Sequence, residues 1–176
     1  AAFHNINLFQ NWSEIPLLVG SDYERGVGQW MDEGTLFPSN MAIASTGNPL
    51  NAYLQGEIIG KEAKSLGVHM AFAPVLDINN NPSNPIINLR SYGDNPQIVS
   101  EYGVNYLKGI QSQGVFACGK HFPGHGDTDT DSHSSLPIIN ATKDRLNKNE
   151  IYPFKEAIQD GIKMIMIGHL VVPSLD

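Results

Sequence analysis

At 176 residues the chain has the length of one domain, and with 41% hydrophobic and 16% charged residues it can bury a sizeable core and is not disordered by composition. A net charge of −7 argues against a broad basic face, so nucleic acid is a poor partner and a neutral or cationic ligand suits the chain better. The single cysteine, Cys118, excludes an internal disulfide.

No apolar stretch approaches the roughly 20 residues of a membrane-spanning helix. The opening residues, Ala1-Ala-Phe-His-Asn-Ile6, lack a basic region followed by an apolar run, so no signal peptide is expected there. The first strand candidate is Ile15-Pro-Leu-Leu-Val-Gly20, followed by the polar loop Ser21-Asp-Tyr-Glu-Arg-Gly26. Residues 50–66 form a predicted helix that places Leu54, Ile58 and either Ala63 or Leu66 on one face, with Gly67 as its stop.

The second strand candidate is Val68 to Leu76, and the loop after it runs from Asp77 to Arg90. Residues 96–113 open with Pro96 and carry Val99, Tyr102, Tyr106 and Ile110 at helical spacing, ended by Gly114. Val115 to Cys118 is the third strand candidate, with Cys118 as a small core residue, and the loop after it spans Lys120 to Pro137. A helix over 149–160 turns Phe154, Ala157 and Ile158 inward, and Ile162 to Ile167 is the fourth strand, leading to a loop from His169 to Asp176. Near-continuous apolar strands alternating with helices predict an α/β fold with a parallel sheet. The chemically interesting residues fall in the loops after the strands, where α/β barrels and doubly wound sheets both place their sites.

The densest polar run is Lys120-His-Phe-Pro-Gly-His-Gly-Asp-Thr-Asp-Thr-Asp-Ser-His133. Asp131 and His133 are two apart, so in an extended loop both project to the same side. The carboxylate can then orient the imidazole, and histidine titrates near neutrality, as a group serving first as acid and then as base requires. A zinc site built from His121, His125 and His133 is the competing reading of the same segment.

Lys-His-Phe-Pro-Gly-His-Gly followed by Asp-Ser-His and Leu-Pro resembles the signature of glycoside hydrolase family 3, bacterial β-N-acetylglucosaminidase type. Ala73-Pro-Val-Leu-Asp-Ile-Asn79, Arg90-Ser-Tyr-Gly93, Asp22-Tyr-Glu-Arg-Gly26 and Ile165-Met-Ile-Gly-His169 are similar to further motifs of that family, in the right order. The resemblance implies that residues 1–176 are a partial N-terminal catalytic domain, part of a (β/α)8 TIM-type barrel covering approximately strands two to five. It implies a retaining glycosidase that removes terminal β-linked N-acetylglucosamine, with peptidoglycan fragments as the expected source. His133 and Asp131 become the acid/base dyad, and Asp22, Arg90, Lys120 and His121 the substrate-binding residues. Glu24 is expected to be structural, His169 to be structural or to stand just behind the sugar contacts, and Asp77 to tie down its loop through backbone hydrogen bonds.

The family's nucleophile, an aspartate beyond the sixth strand, is expected outside this sequence, and the natural protein is expected to be longer. A phosphorylase of the same family and a catalytically inactive fragment are the alternatives. The resemblance implies no cofactor, no metal and a small carbohydrate as partner. It leaves oligomeric state and localisation open, since related enzymes occur in the cytoplasm, the periplasm and outside the cell, with the bacterial cytoplasm or periplasm expected first. One departure stands out: the family often has an arginine eight residues after the aspartate of its Asp-x-Glu motif, and here that residue is Trp30.

Overall fold

The structure of the chain, a computed structural model, describes residues 2–129 and 135–175. Four strands, β1 (Gly20–Ser21), β2 (Met70–Ala71), β3 (Phe116–Phe122) and β4 (Met164–Ile167), form one sheet. Every pairing is parallel and the spatial order is β1-β2-β3-β4. A doubly wound sheet reverses its strand order at a switch point, whereas a barrel winds in one direction. Here each new strand is added beyond the last, so the order decides what the sequence pattern left open.

The paired stretches of β1 and β2 are shorter than the apolar runs that supply them. Ladder-like bonds nevertheless continue past them: Val19 O accepts from His69 N and Met70 N, and Lys120 O accepts from Leu76 N. These contacts carry the chain of β2 to Asp77, level with Lys120 on β3.

Helices α3 (Leu50–Leu66), α4 (Pro96–Ser112) and α6 (Tyr152–Gln159) connect the strands, with α4 packed against both others. Asn95 caps α4, its side chain accepting from the backbone N–H groups of Gln97 and Ile98. Val99, Tyr102, Tyr106 and Ile110 are buried as predicted. The α3 face is not. Leu54 and Ile58 are 44% and 40% exposed, while Ala52, Gly56, Ile59, Gly60 and Ala63 are buried.

Close backbone approach is the reason. A Cβ on Gly56 would overlap the Tyr106 carbonyl oxygen, and one on Gly109 the Tyr53 carbonyl oxygen. The small-residue stripe of α3 therefore meets α4, and the larger side chains face out. Ile158 is likewise exposed, although Phe154 and Ala157 are buried as expected. The core gathers Tyr23, Ile59, Leu76, Tyr106, Leu107, Ile110 and Phe154. Each fully buried Ile or Leu among them stabilises the fold by about 1.5–3 kcal/mol.

Three helices were not foreseen: α1 (Ala2–Trp12), α2 (Asn40–Ala44) and α5 (Lys143–Lys148). The last sits over a small second cluster of Ile139, Ala141, Leu146 and Val172. Among the described residues no helix is long and apolar enough to cross a membrane.

Gly126 brings the loop after β3 against the chain after β2. A Cβ there would overlap the backbone carbonyl oxygen of Ile78, which has no flexible end to swing aside. Gly126→Ala is therefore expected to lower stability by roughly 1–3 kcal/mol, or more if the loop cannot yield. Thermal unfolding of the variant beside the unaltered protein measures it.

Candidate active site

The C-terminal ends of the strands converge on a cavity of about 390 Å³ lined by Asp22, Arg90, Lys120, His121, His125 and His169, with Phe72, Ile86, Ile87 and Met166 as apolar walls. Asp22 follows β1, Arg90 lies in the loop after β2, Lys120 and His121 are on β3, and His169 follows β4. All four residues expected to bind substrate thus line one space. Asp131 and His133 lie outside the described residues.

Lys120 is nearly buried and donates to Asp22 Oδ1 at 2.6 Å, with its ammonium also 2.8 Å from Glu24 Oε1. Two of its three N–H donors are thereby engaged. Arg90 sets its planar fork on Glu24, through Nε to Oε2 at 2.9 Å and Nη2 to Oε1 at 2.6 Å, and gives Nη1 to Ile86 O. Two of its five N–H groups remain. The fork expected to face a sugar is occupied by Glu24, so any ligand contact by Arg90 falls to the remaining donors.

Glu24 is therefore the buried counter-charge of two cations. Burial pushes its carboxyl up, but the Arg90 hydrogen bond and the charges of Lys120 and Arg90 outweigh that, leaving it lowered to about 2. A lowered folded-state value stabilises the fold fully above the ordinary value of 4.5, and this stabilisation is lost as pH falls toward 2. The difference corresponds to roughly 3 kcal/mol at neutral pH. The urea midpoint is expected to fall through that acid window, and Glu24→Gln to remove that part of the dependence.

Asp77 is fully buried at the end of the β2 segment. Its Oδ2 lies 2.7 Å from His121 Nδ1, and its Oδ1 accepts from His121 N at 3.1 Å and His125 N at 2.7 Å. It does anchor the loop through backbone bonds, as expected, and it holds the His121 ring as well. Burial pushes the Asp77 carboxyl up, yet its pairing with the His121 ring and the backbone N–H donors of His121 and His125 hold it below the usual carboxylate range.

Asn84 steadies the same loop from the other side, its Nδ2 donating to the carbonyls of His125 and Gly126 and to Thr128 Oγ1. Further along, Arg145 on α5 pairs with Asp127 and with Glu150, whose Oε1 also accepts from Asn80. These bonds fix the approach to residue 129 and the return through α5.

His125 is buried on the cavity wall, with Nδ1 2.9 Å from Thr128 Oγ1, and burial pushes its imidazole down. The rings of His121 and His125 cross edge to face at 6.0 Å. For the zinc reading, Asp77 occupies His121 Nδ1 and Thr128 stands at His125 Nδ1, while His133 is outside the described residues. Among the described residues no cluster of three or more His, Cys, Asp or Glu side chains is placed to hold a metal ion.

Trp30 supplies no cation beside Asp22. Its Nε1 donates to the Asp22 carbonyl oxygen at 2.6 Å and the residue is 64% exposed. A larger cavity of about 690 Å³, between α1 and the loop around Trp30, shares none of the four expected binding residues. From the sequence, His125 had a place only in the zinc alternative and Asp77 only as an anchor of its loop, yet His125 lines the cavity and Asp77 holds the His121 ring. The signal for Asp77 was available, since a lone aspartate closing an apolar strand run must find donors if it is buried.

Parallel strands wound in one direction, with a polar cavity at their C-terminal ends, define a segment of a (β/α)8 barrel of the kind that carries active sites. The model for the "Glycosyl hydrolase family 3 N terminal domain" matches residues 4–176, and the chain belongs to that family.

It is 39% identical over 173 residues to a beta-hexosaminidase A of Pseudoalteromonas piscicida, a match covering 95% of this chain and 29% of that protein. The structure of a family 3 beta-N-acetylglucosaminidase from Paenibacillus sp. str. FPU-7 superposes with a TM-score of 0.95 at 40% identity, covering 99% of this chain and 34% of the other. A beta-glucoside phosphorylase superposes at 0.93 with 31% identity, covering 98% and 32%. The chain thus spans about a third of the length of these relatives.

Proposed function

We propose that residues 1–176 are part of the N-terminal catalytic barrel of a retaining glycosidase that removes terminal, non-reducing β-linked N-acetylglucosamine. The observation that carries this reading is the convergence of Asp22, Arg90, Lys120 and His121, from three successive strand ends, on one cavity. Carboxylate, guanidinium, ammonium and imidazole give a sugar ring both acceptors and donors for its hydroxyls. Family membership and the β-hexosaminidase relatives support the reading.

In this scheme Asp22 accepts from hydroxyls of the terminal sugar, while Lys120, His121 and the free N–H groups of Arg90 complete its grip. An aspartate outside residues 1–176 attacks the anomeric carbon, the bond to the leaving oxygen breaks, and His133 gives that oxygen its proton. His133, oriented by Asp131, then takes a proton from water as the water displaces the enzyme carboxylate. An imidazole in place of a second carboxylate avoids like-charge repulsion with the nucleophile.

The likeness to a beta-glucoside phosphorylase favours one second reading, transfer of the sugar to phosphate instead of water. The test uses the full-length protein with 4-nitrophenyl N-acetyl-β-glucosaminide and the matching β-glucoside, with and without phosphate. Free N-acetylglucosamine at a rate indifferent to phosphate is expected. A sugar phosphate as the main product assigns the phosphorylase, and activity on neither substrate removes both readings.

A further inference from the structure

Asp77 makes contacts that a mere loop anchor does not need. Among the described residues its two oxygens are bonded to nitrogen: the His121 backbone N at 3.1 and 3.2 Å, the His125 backbone N at 2.7 Å and the His121 ring Nδ1 at 2.7 Å. A carboxylate accepts and cannot donate, so the hydrogen bond to Nδ1 requires the proton to sit on Nδ1. The ring lies on the cavity wall beside Lys120 and Arg90 with Nδ1 turned back to Asp77, which leaves Nε2 as the nitrogen available to a ligand.

We propose that Asp77 is a positioning residue that fixes His121 in its Nδ1–H form, so that the neutral ring meets the ligand with Nε2 as a hydrogen-bond acceptor. The proposal rests on the reading of this cavity as a sugar site and adds the direction of one contact: a hydroxyl of the sugar gives its proton to His121. Lys120 and Arg90 beside it are donors, so His121 and Asp22 become the two acceptors of the set.

The amide variant makes the idea sharp. In Asp77→Asn, one position must hold an oxygen and the other an NH2 group. The His125 backbone N–H cannot change character, so the amide oxygen stays with it and the NH2 faces His121 Nδ1. Two donors cannot share a hydrogen bond, so the imidazole moves its proton to Nε2. An acceptor in the cavity becomes a donor with almost no change in shape, as when an asparagine replaces the orienting aspartate of a catalytic triad.

The experiment is nitrogen NMR of the full-length protein labelled at histidine and lysine, with assignment of His121 and Lys120 by their substitution, in unaltered and Asp77→Asn forms. Expected are Nδ1–H with a bare Nε2 in the unaltered protein and the reverse in Asp77→Asn. Affinity for N-acetylglucosamine is expected to fall on the order of 10- to 100-fold with the swap. A loop anchor alone predicts loss of stability with no change of tautomer. Nε2–H in the unaltered protein, or an unchanged ring in Asp77→Asn, overturns the proposal.

Should Asp77→Asn fail to fold, the unaltered protein's spectrum still decides. Added N-acetylglucosamine separates this proposal from the functional reading beneath it. If neither Nε2 of His121 nor Nζ of Lys120 responds, the sugar site fails whatever the tautomer.

Discussion

Glu24→Gln is expected to lower the unfolding free energy at neutral pH by about 3–5 kcal/mol, a range set by breaking a buried ion pair from one side. The side chain has almost no exposure, and it takes two hydrogen bonds from Arg90 and the ammonium of Lys120 at 2.8 Å. Glutamine keeps the shape but removes the charge, and its NH2 group must point at one of the two cations. Lys120 is itself nearly buried and, among the described residues, would keep Asp22 as its ion-pair partner. Because these cations also line the cavity, sugar affinity is expected to fall together with stability. Urea unfolding beside a binding titration measures both. A variant within 1 kcal/mol of the unaltered protein, roughly the value of a surface ion pair, contradicts the network as drawn.

His133→Ala in the full-length protein is expected to cost about 10²–10⁴ in kcat/KM on substrates whose leaving group needs a proton. The loss should shrink on a dinitrophenyl N-acetylglucosaminide, whose leaving oxygen departs without protonation. That leaving-group dependence distinguishes an acid from a residue that only shapes the loop. Steady-state rates over a series of aryl leaving groups give the answer. Equal losses across the series, or rates near the unaltered enzyme, remove His133 from the role.

Much of the site was legible because its residues sit in contiguous motifs at strand ends. Lys120 and His121 close the third apolar run, and Asp22 follows the first within three residues. Direction and order along the chain were enough to place them together. What the sequence could not display was who neutralises whom. Arg90 looked like a sugar-binding fork, but its fork meets Glu24, 66 residues away, and only the fold brings the two together. Asp77 and His121 are 44 residues apart, and their pairing depends on β2 and β3 being neighbours.

The helices tell a similar story. Val99, Tyr102, Tyr106 and Ile110 on α4 were read correctly because large apolar side chains mark its buried face. On α3 the same rule picked Leu54 and Ile58, which face outward, because the packed stripe is made of Gly56, Gly60, Ala52 and Ala63. Small residues carry little hydrophobic weight in a periodicity argument, yet they permit the closest approach to α4. Helix α1 escaped notice despite Phe3, Ile6 and Phe9 at a spacing of three. None of its residues is buried.

In the proposed function Asp22, Arg90, Lys120 and His121 grip a terminal N-acetylglucosamine. A crystal structure of the full-length protein soaked with that sugar tests it most directly. The ring is predicted in the 390 Å³ cavity, with a hydroxyl on Asp22 and another donating to His121 Nε2. Sugar lodged in the cavity beside α1, or this cavity empty at saturating sugar, contradicts the claim.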